Sequence, residues 1–433
     1  MKRLSILRTA CVFVFCAATA TASPAQVLTT LHSFGGSSTD CQSQPGCGSY
    51  PRAGLVQASD GNFYGTTEGS GGNNNCVSGC GTVFKITPSA TLTTLYRFCS
   101  QANCADGESP RAGLVQASDG NFYGTTSGGG GGVYCAFGCG TVFRITPSGT
   151  LTTLHSFNGS DGVDPLGALV QASDGNFYGT TADGGASDYC GYWGCGTVFK
   201  ITPSGTLTTL YSFCSQANCA DGEGPLAGLV QASDGNFYGT TGGGGANDAG
   251  TVFKITPSGT LTTLHSFNGS DGVGPSAALV QATDGNVYGT TLFGGSGGCD
   301  SGCGTVFKIT PSGALTTLHS FAGYPTEGAN PFAGLVQASD GNFYGTTYNG
   351  GANSSCSPPY YGCGTVFKIT PSGTLTTLHS FNGSDGAGPT ATQVQASDGN
   401  FYGTTYLGAA GNFGTVFRLV SVRPCFSCPL QWK

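Results

Sequence analysis

Charge is scarce in this sequence. Asp, Glu, Lys and Arg make up only 9% of the 433 residues, and the balance is acidic, 22 acids against 15 bases. Lys2, Arg3 and Arg8 lie in an amino-terminal stretch set apart below; without them 12 bases face 22 acids, a net charge of −10. A chain so acidic is a poor partner for a phosphate backbone, and nucleic acid is not expected as a ligand. Beyond residue 25 no apolar run reaches the roughly 20 residues that a spanning helix needs, so no membrane span is expected in the mature chain. Nucleophile-elbow, phosphate-loop and HExxH patterns are all missing. The residues therefore lean away from an enzyme.

Residues 1–25 read as a secretory signal. Lys2 and Arg3 precede the apolar run ACVFVFCAATA, and small residues follow, with cleavage expected near Ala22 or Ala25. The mature protein is expected to be secreted or periplasmic. Residues 26–422 form one repeat-built domain, and 423–433 a short tail holding Cys425 and Cys428.

Repetition organises the rest. The stretch LVQASDGNFYGTT at 55–67 recurs unchanged from Leu114, Leu169, Leu229 and Leu335, and with small changes from Leu279 and Gln393. Seven copies at intervals of 50 to 60 residues mark a repeat architecture. Asp-Gly supplies the positive φ that a tight turn needs, so each copy reads as a β-hairpin. After a Gly-rich loop comes a third strand-like run such as GTVFKIT at 81–87. A Thr-Pro-Ser-Gly turn leads to a fourth, such as TLTTLHSF at 150–157. A Pro stands four residues before every hairpin, at 51, 110, 165, 225, 275, 331 and 389.

Four antiparallel strands per period, seven times over, predict an all-β fold: a seven-bladed β-propeller. A β-solenoid is the rival, but its rungs do not require a hairpin at a fixed place. The run Val27–Phe34 is a fourth strand without a blade, and Gly414–Val420 a third strand without a fourth. Pairing strand 27–34 with strand 414–420 closes the ring and removes two open sheet edges.

The 18 cysteines after the signal fall into nine close pairs: Cys41/Cys47, Cys76/Cys80, Cys99/Cys104, Cys135/Cys139, Cys190/Cys195, Cys214/Cys219, Cys299/Cys303, Cys356/Cys363 and Cys425/Cys428. In an exported chain such pairs read as local disulfides, with zinc or redox pairs as the rival. Closing loops this short contributes roughly 2 kcal/mol each before strain. They stiffen loop tips.

Strand direction sorts the connections onto two rims. Turns one-to-two and three-to-four share one rim and hardly vary. Loops two-to-three and four-to-next share the other, vary in length and carry the eight cysteine pairs within the repeats, so a ligand is expected there. That rim also holds Asp106, Asp161, Asp221, Asp271, Glu327 and Asp385, each four residues before the repeated Pro, with Asp164, Glu108 and Glu223 beside them. An Asp-Gly turn is the plain reading of this ring; calcium or polyol binding is the sharper one. No full calcium-loop spacing is present, so no cofactor is expected beyond that one cation. Asp60 and its six equivalents lie on the invariant rim, where strand order brings them near Lys85 and its equivalents as an ion-pair girdle. All five histidines share one place in the fourth strand, filled by Tyr96 and Tyr211 in two repeats, which reads as a packing slot. Departures from the repeat (Glu68, Asp183, Asp188, Trp193, Asp300, Tyr360, Tyr361) read as scattered loop residues. Of these, Trp193, Tyr360 and Tyr361 suit aromatic-assisted recognition.

The units DGNFYGTT, GTVFKIT and TLTTLHSF together resemble the GloVer-type (choice-of-anchor tandem) repeat of bacterial exported proteins over about residues 27–420. The resemblance implies a secreted propeller without an assigned activity. Members often end in a sorting or anchoring segment, and the run after Val420 does not match one. The leading expectation is a monomeric, non-catalytic propeller that binds a glycan or an envelope protein through its disulfide-tipped rim. A carbohydrate-active hydrolase or lyase and a structural envelope component are the alternatives.

Overall fold

The computed structural model describes residues 26–35, 48–70, 79–131, 135, 138–187, 189–356 and 362–420. The leader, Cys41, Cys47, Cys76, Asp188, Tyr360, Tyr361 and the tail with Cys425 and Cys428 lie outside the described residues. Seven four-stranded antiparallel sheets form the blades. Their first strands are Val56–Gln57, Val115–Gln116, Val170–Gln171, Val230–Gln231, Val280–Gln281, Val336–Gln337 and Val394–Gln395, which number blades 1 to 7. Blade 3 continues with Phe177–Thr181, Thr197–Ile201 and Leu207–Ser212, and the others follow the same pattern.

Each hairpin forms as the sequence dictates. Gly61 takes φ 80° and donates its N–H to Ala58 O, while Ala58 N–H is accepted by Asn62 O, both at 2.9 Å. The first strand pairs over only two residues, shorter than LVQAS suggests. The residues before it, such as Arg52 to Leu55, line the axial cavity.

Bulk is packed between blades. Gly179 in the second strand leaves space for the third-strand Phe199: a Cβ there would meet the ring at 2.6 Å. Phe199 is fully buried, as is its counterpart in almost every blade. Burying such a ring contributes about 1.5–3 kcal/mol. In the fourth strand a register shift skips Leu154. The bulge lets Leu154 pack on the cluster of Phe157, Phe199 and Ile201, and His155 faces the adjoining loop.

The ring closes as expected. Leu28 pairs with Leu419 and Ser33 with Thr415, so the N-terminal strand completes blade 7. Tyr64 stacks on Phe122 between blades 1 and 2, and Tyr402 stacks on Phe63 between blades 7 and 1, both at 4.1 Å. A polar ring runs parallel to the stacks. Ser59 N–H donates to Gln116 Oε1 of the next blade, and the same bond repeats until Ser397 N–H reaches Gln57 Oε1. An open solenoid is excluded by that return.

Candidate functional site at the axial mouth

The ring of acids before the repeated Pro is occupied by the protein's own donors. Asp221 is fully buried and accepts from Tyr211 Oη–H at 2.7 Å, Ser215 N–H and Oγ–H at 3.0 Å, and Gln216 N–H at 3.2 Å. Asp106 holds the equivalent loop from Tyr96, Ser100 and Gln101. Where the fourth strand offers His instead, Asp161, Asp271, Glu327 and Asp385 lie 2.9 Å from the ring Nε2 of His155, His265, His319 and His379. The position shared by His and Tyr is therefore a hydrogen-bonding position and not a mere packing slot. Burial pushes the Tyr96 phenol up to about 12, helped by the Asp106 carboxylate.

On the opposite rim Asp60 is chiefly a turn acid. It accepts from Asn62 N–H, Asn62 Nδ2–H and Tyr64 Oη–H. Burial raises its pKa, but those bonds and Lys85 outweigh it and hold the carboxyl below its usual range. Of the expected girdle, Lys200–Asp174 at 3.0 Å is the one direct ion pair among the described residues. The other bases act at longer range.

A different set converges on the axis. In every blade the residue before the Pro adopts positive φ: Tyr50, Ser109, Asp164, Gly224, Gly274, Asn330 and Gly388, all at 54–62°. Its carbonyl accepts the N–H of the residue just past the second strand, as in Glu68 to Tyr50 at 3.0 Å and Ala182 to Asp164 at 3.0 Å. Non-glycine residues held in this region cost about 1 kcal/mol or more, a strain that folds retain mainly where geometry matters. The residue after the Pro faces the axial cavity, of about 650 Å³: Arg52, Arg111, Leu166, Leu226, Ser276, Phe332 and Thr390.

Charge gathers on one side of this mouth. Glu68 accepts from Arg111 Nε–H at 2.7 Å and pairs with Arg52 at 3.5 Å. Arg52 also stands 5.2 Å from the centre of the Tyr406 ring, and Tyr50 lies against Tyr406 with centroids 5.2 Å apart. Asp164 and Asp183 extend the cluster. Burial raises the pKa of Asp164, Arg111 lowers it and Glu68 raises it further. Burial, then the Asp164 carboxylate, pushes Asp183 up to about 6. The far side is apolar, with Leu166, Leu226 and Phe332.

The comparisons match this architecture. A family model described as the Gloeobacter/Verrucomicrobia repeat matches residues 20–218 and 191–357. The chain belongs to that repeat family. Among curated proteins none matches it. Among solved structures, one titled streptogramin B lyase is similar at a TM-score of 0.58 and 14% identity, covering 91% of this chain and 97% of that one. Virginiamycin B lyase from Staphylococcus aureus gives 0.58 and 14%, covering 92% of this chain and 100% of the other. At such identities the likeness is one of fold.

Within this repeat-family propeller the sites expected from sequence are dispersed. Asp164 interacts with Arg111 at the mouth; Asp106, Asp161, Asp221, Asp271, Glu327 and Asp385 are committed to their own loops. Trp193 is 52% exposed and lines a separate rim groove with Asn158 and Ser160. Glu68 and Asp183, read as scattered, each interact electrostatically with Asp164, while Asp300 remains exposed on its loop. Arg52, Arg111, Tyr50 and Tyr406 were not singled out. Their signal was available: the Pro repeats seven times, yet its two neighbours differ from blade to blade.

Disulfides join Cys99–Cys104, Cys135–Cys139, Cys190–Cys195, Cys214–Cys219, Cys299–Cys303 and Cys356–Cys363, each the local pair expected. Cys80 is also disulfide-bonded. Among the described residues no helix is long and apolar enough to cross a membrane. Multiple disulfides fit an extracellular or periplasmic protein.

Proposed function

We propose that this chain is an exported binding protein that takes a carbohydrate at the axial mouth. One observation carries the reading: the Arg52–Glu68–Arg111 triad beside the paired rings of Tyr50 and Tyr406. Neighbouring sugar hydroxyls suit planar guanidinium and carboxylate groups that bond through two atoms at once. The C–H faces of a sugar suit aromatic rings, and a concave site with few convergent polar groups is the usual form of a small-ligand pocket. The export signal expected at residues 1–25 supports binding outside the cytoplasm.

A glycan array followed by calorimetry tests this. Wild type should bind at least one glycan, and Glu68→Gln and Arg111→Ala should weaken it tenfold or more. Binding that survives both changes moves the ligand elsewhere, and silence across the array favours a structural envelope component.

Asp183 favours a second, catalytic reading. A carboxyl that exchanges its proton near neutrality, next to a second acid, is the arrangement that acid–base chemistry on a sugar uses. Cleavage of the bound glycan, followed by mass spectrometry and abolished in Asp183→Asn, would establish turnover. An intact glycan leaves the protein a binder.

A further inference from the structure

Away from the mouth, sulfur is concentrated on the variable rim of blade 3. The Cys190–Cys195 disulfide belongs to the loop after the second strand, and Cys214–Cys219 to the loop that leaves the fourth. The fold sets them against each other. Ligand atoms of Cys190, Cys195, Cys214, Cys219 and Glu223 all lie within 4.8 Å of one another. Cys190 Sγ is 3.9 Å from Cys214 Sγ, and Glu223 Oε2 stands 3.2 Å from the first and 3.6 Å from the second. Cys195, Cys214 and Cys219 are buried, Cys190 and Glu223 half-buried. The arrangement recurs in the other copy of CSQANCADGE, where Cys80, Cys99, Cys104 and Glu108 gather in the same way.

Once the two S–S bonds are opened, four sulfurs that start within 4.8 Å of one another need move little to share one coordination sphere. Zinc binds thiolates at about 2.3 Å in a tetrahedron, which separates the sulfurs by about 3.8 Å. Both pairs have four residues between their cysteines, within the spacing that structural zinc sites use. We propose that this cluster is a redox-gated metal site: with both disulfides reduced, the thiolates of Cys190, Cys195, Cys214 and Cys219 bind one zinc ion. A thiol or phosphine reductant supplies two electrons per disulfide, and two protons complete each pair of thiols. Zinc then displaces the four protons, and Glu223 stands where it accepts one from Cys190. When oxidised, the same residues are two loop staples and bind no metal.

The test uses the full chain, reduced with a phosphine under nitrogen, loaded with cobalt(II) or zinc(II) and desalted. Reduced wild type should show the intense visible bands and sulfur-to-cobalt charge transfer of a tetrathiolate, and should keep zinc. The oxidised chain should keep none. Because the Cys80 cluster can also load, the decisive comparison is Cys190→Ser/Cys214→Ser, expected to hold one equivalent less. Cys195→Ala, a milder change, should shift and weaken the cobalt bands with the β circular-dichroism signal intact. Equal metal in wild type and both variants would overturn the site. So would a reduced wild type that retains no metal.

Discussion

Arg111 donates its Nε–H to Glu68 Oε1 at 2.7 Å, across the seam between blades 1 and 2. The same carboxylate holds Arg52 of its own blade. One acid thus positions two cations at the mouth of the axis, and each is only about a third exposed.

Removing that acid should be felt in stability as well as binding. Glu68→Ala leaves two half-buried guanidinium groups unpaired, and we expect a loss of about 1–2 kcal/mol. Arg111→Ala alone should cost less, because Glu68 keeps Arg52. Urea unfolding of both single variants and the double reports the coupling; a value near zero would reduce the triad to a surface accident.

The raised pKa of Asp183 carries a definite sign. Below its ordinary value of 3.8, folded and unfolded chains both hold the proton and the site costs nothing. Between 3.8 and about 6 the unfolded chain gives up its proton while the folded chain keeps it, so stability falls across that window and levels off above it. Asp183→Asn should therefore melt above wild type at neutral pH and with it near pH 3.8. The turn acids such as Asp60 work the other way, losing their contribution below the ordinary carboxylate range. The difference between variant and wild type isolates Asp183, and a difference independent of pH would remove the assignment.

Asp221 should matter more to folding than any rim acid that faces solvent. Its carboxylate accepts four hydrogen bonds while fully buried. Asp221→Ala strands those donors, and about 3 kcal/mol or more should be lost, lowering the melting temperature by several degrees. Because protein donors already fill this carboxylate, adding calcium or a chelator should leave the wild-type melting curve in place. A calcium-dependent rise would restore the cation reading for the ring.

Closure of the wheel predicts equivalence. Tyr402 stacks on Phe63 at 4.1 Å and Tyr123 on Phe177 at 4.0 Å, so the last seam is built like an internal one. Tyr402→Ala and Tyr123→Ala should each cost about 3–5 kcal/mol in chemical unfolding. A much smaller loss at Tyr402 would mean that the seventh seam is open in solution.

Much of the fold was legible because its determinants are local and copied seven times. Asp-Gly-Asn specifies the turn, Gly179 and its equivalents make room for Phe, and the orphan strands at 27–34 and 414–420 can satisfy their edges only in each other. The mouth was less legible. Glu68, Arg111 and Asp164 belong to three successive blades, and only the packing of blade against blade brings them within reach of one another. The partnership of His155 with Asp161, and of Tyr211 with Asp221, was hidden for a subtler reason. A bulge at Leu154 in one strand and at Leu210 in the other shifts the register by one residue, and simple alternation along the strand does not foresee it.

By itself the amino-acid order determined seven like sheets, their turns, the close cysteine pairs and the rim on which variation falls. Each of these follows from neighbours in the chain: a positive φ at glycine, a pair of close cysteines, a run of β-formers. Only the tertiary structure decided which of the varied residues share a space. That choice depends on distances across the axis, where blades separated by a hundred residues or more come within reach, and no local propensity encodes such a distance.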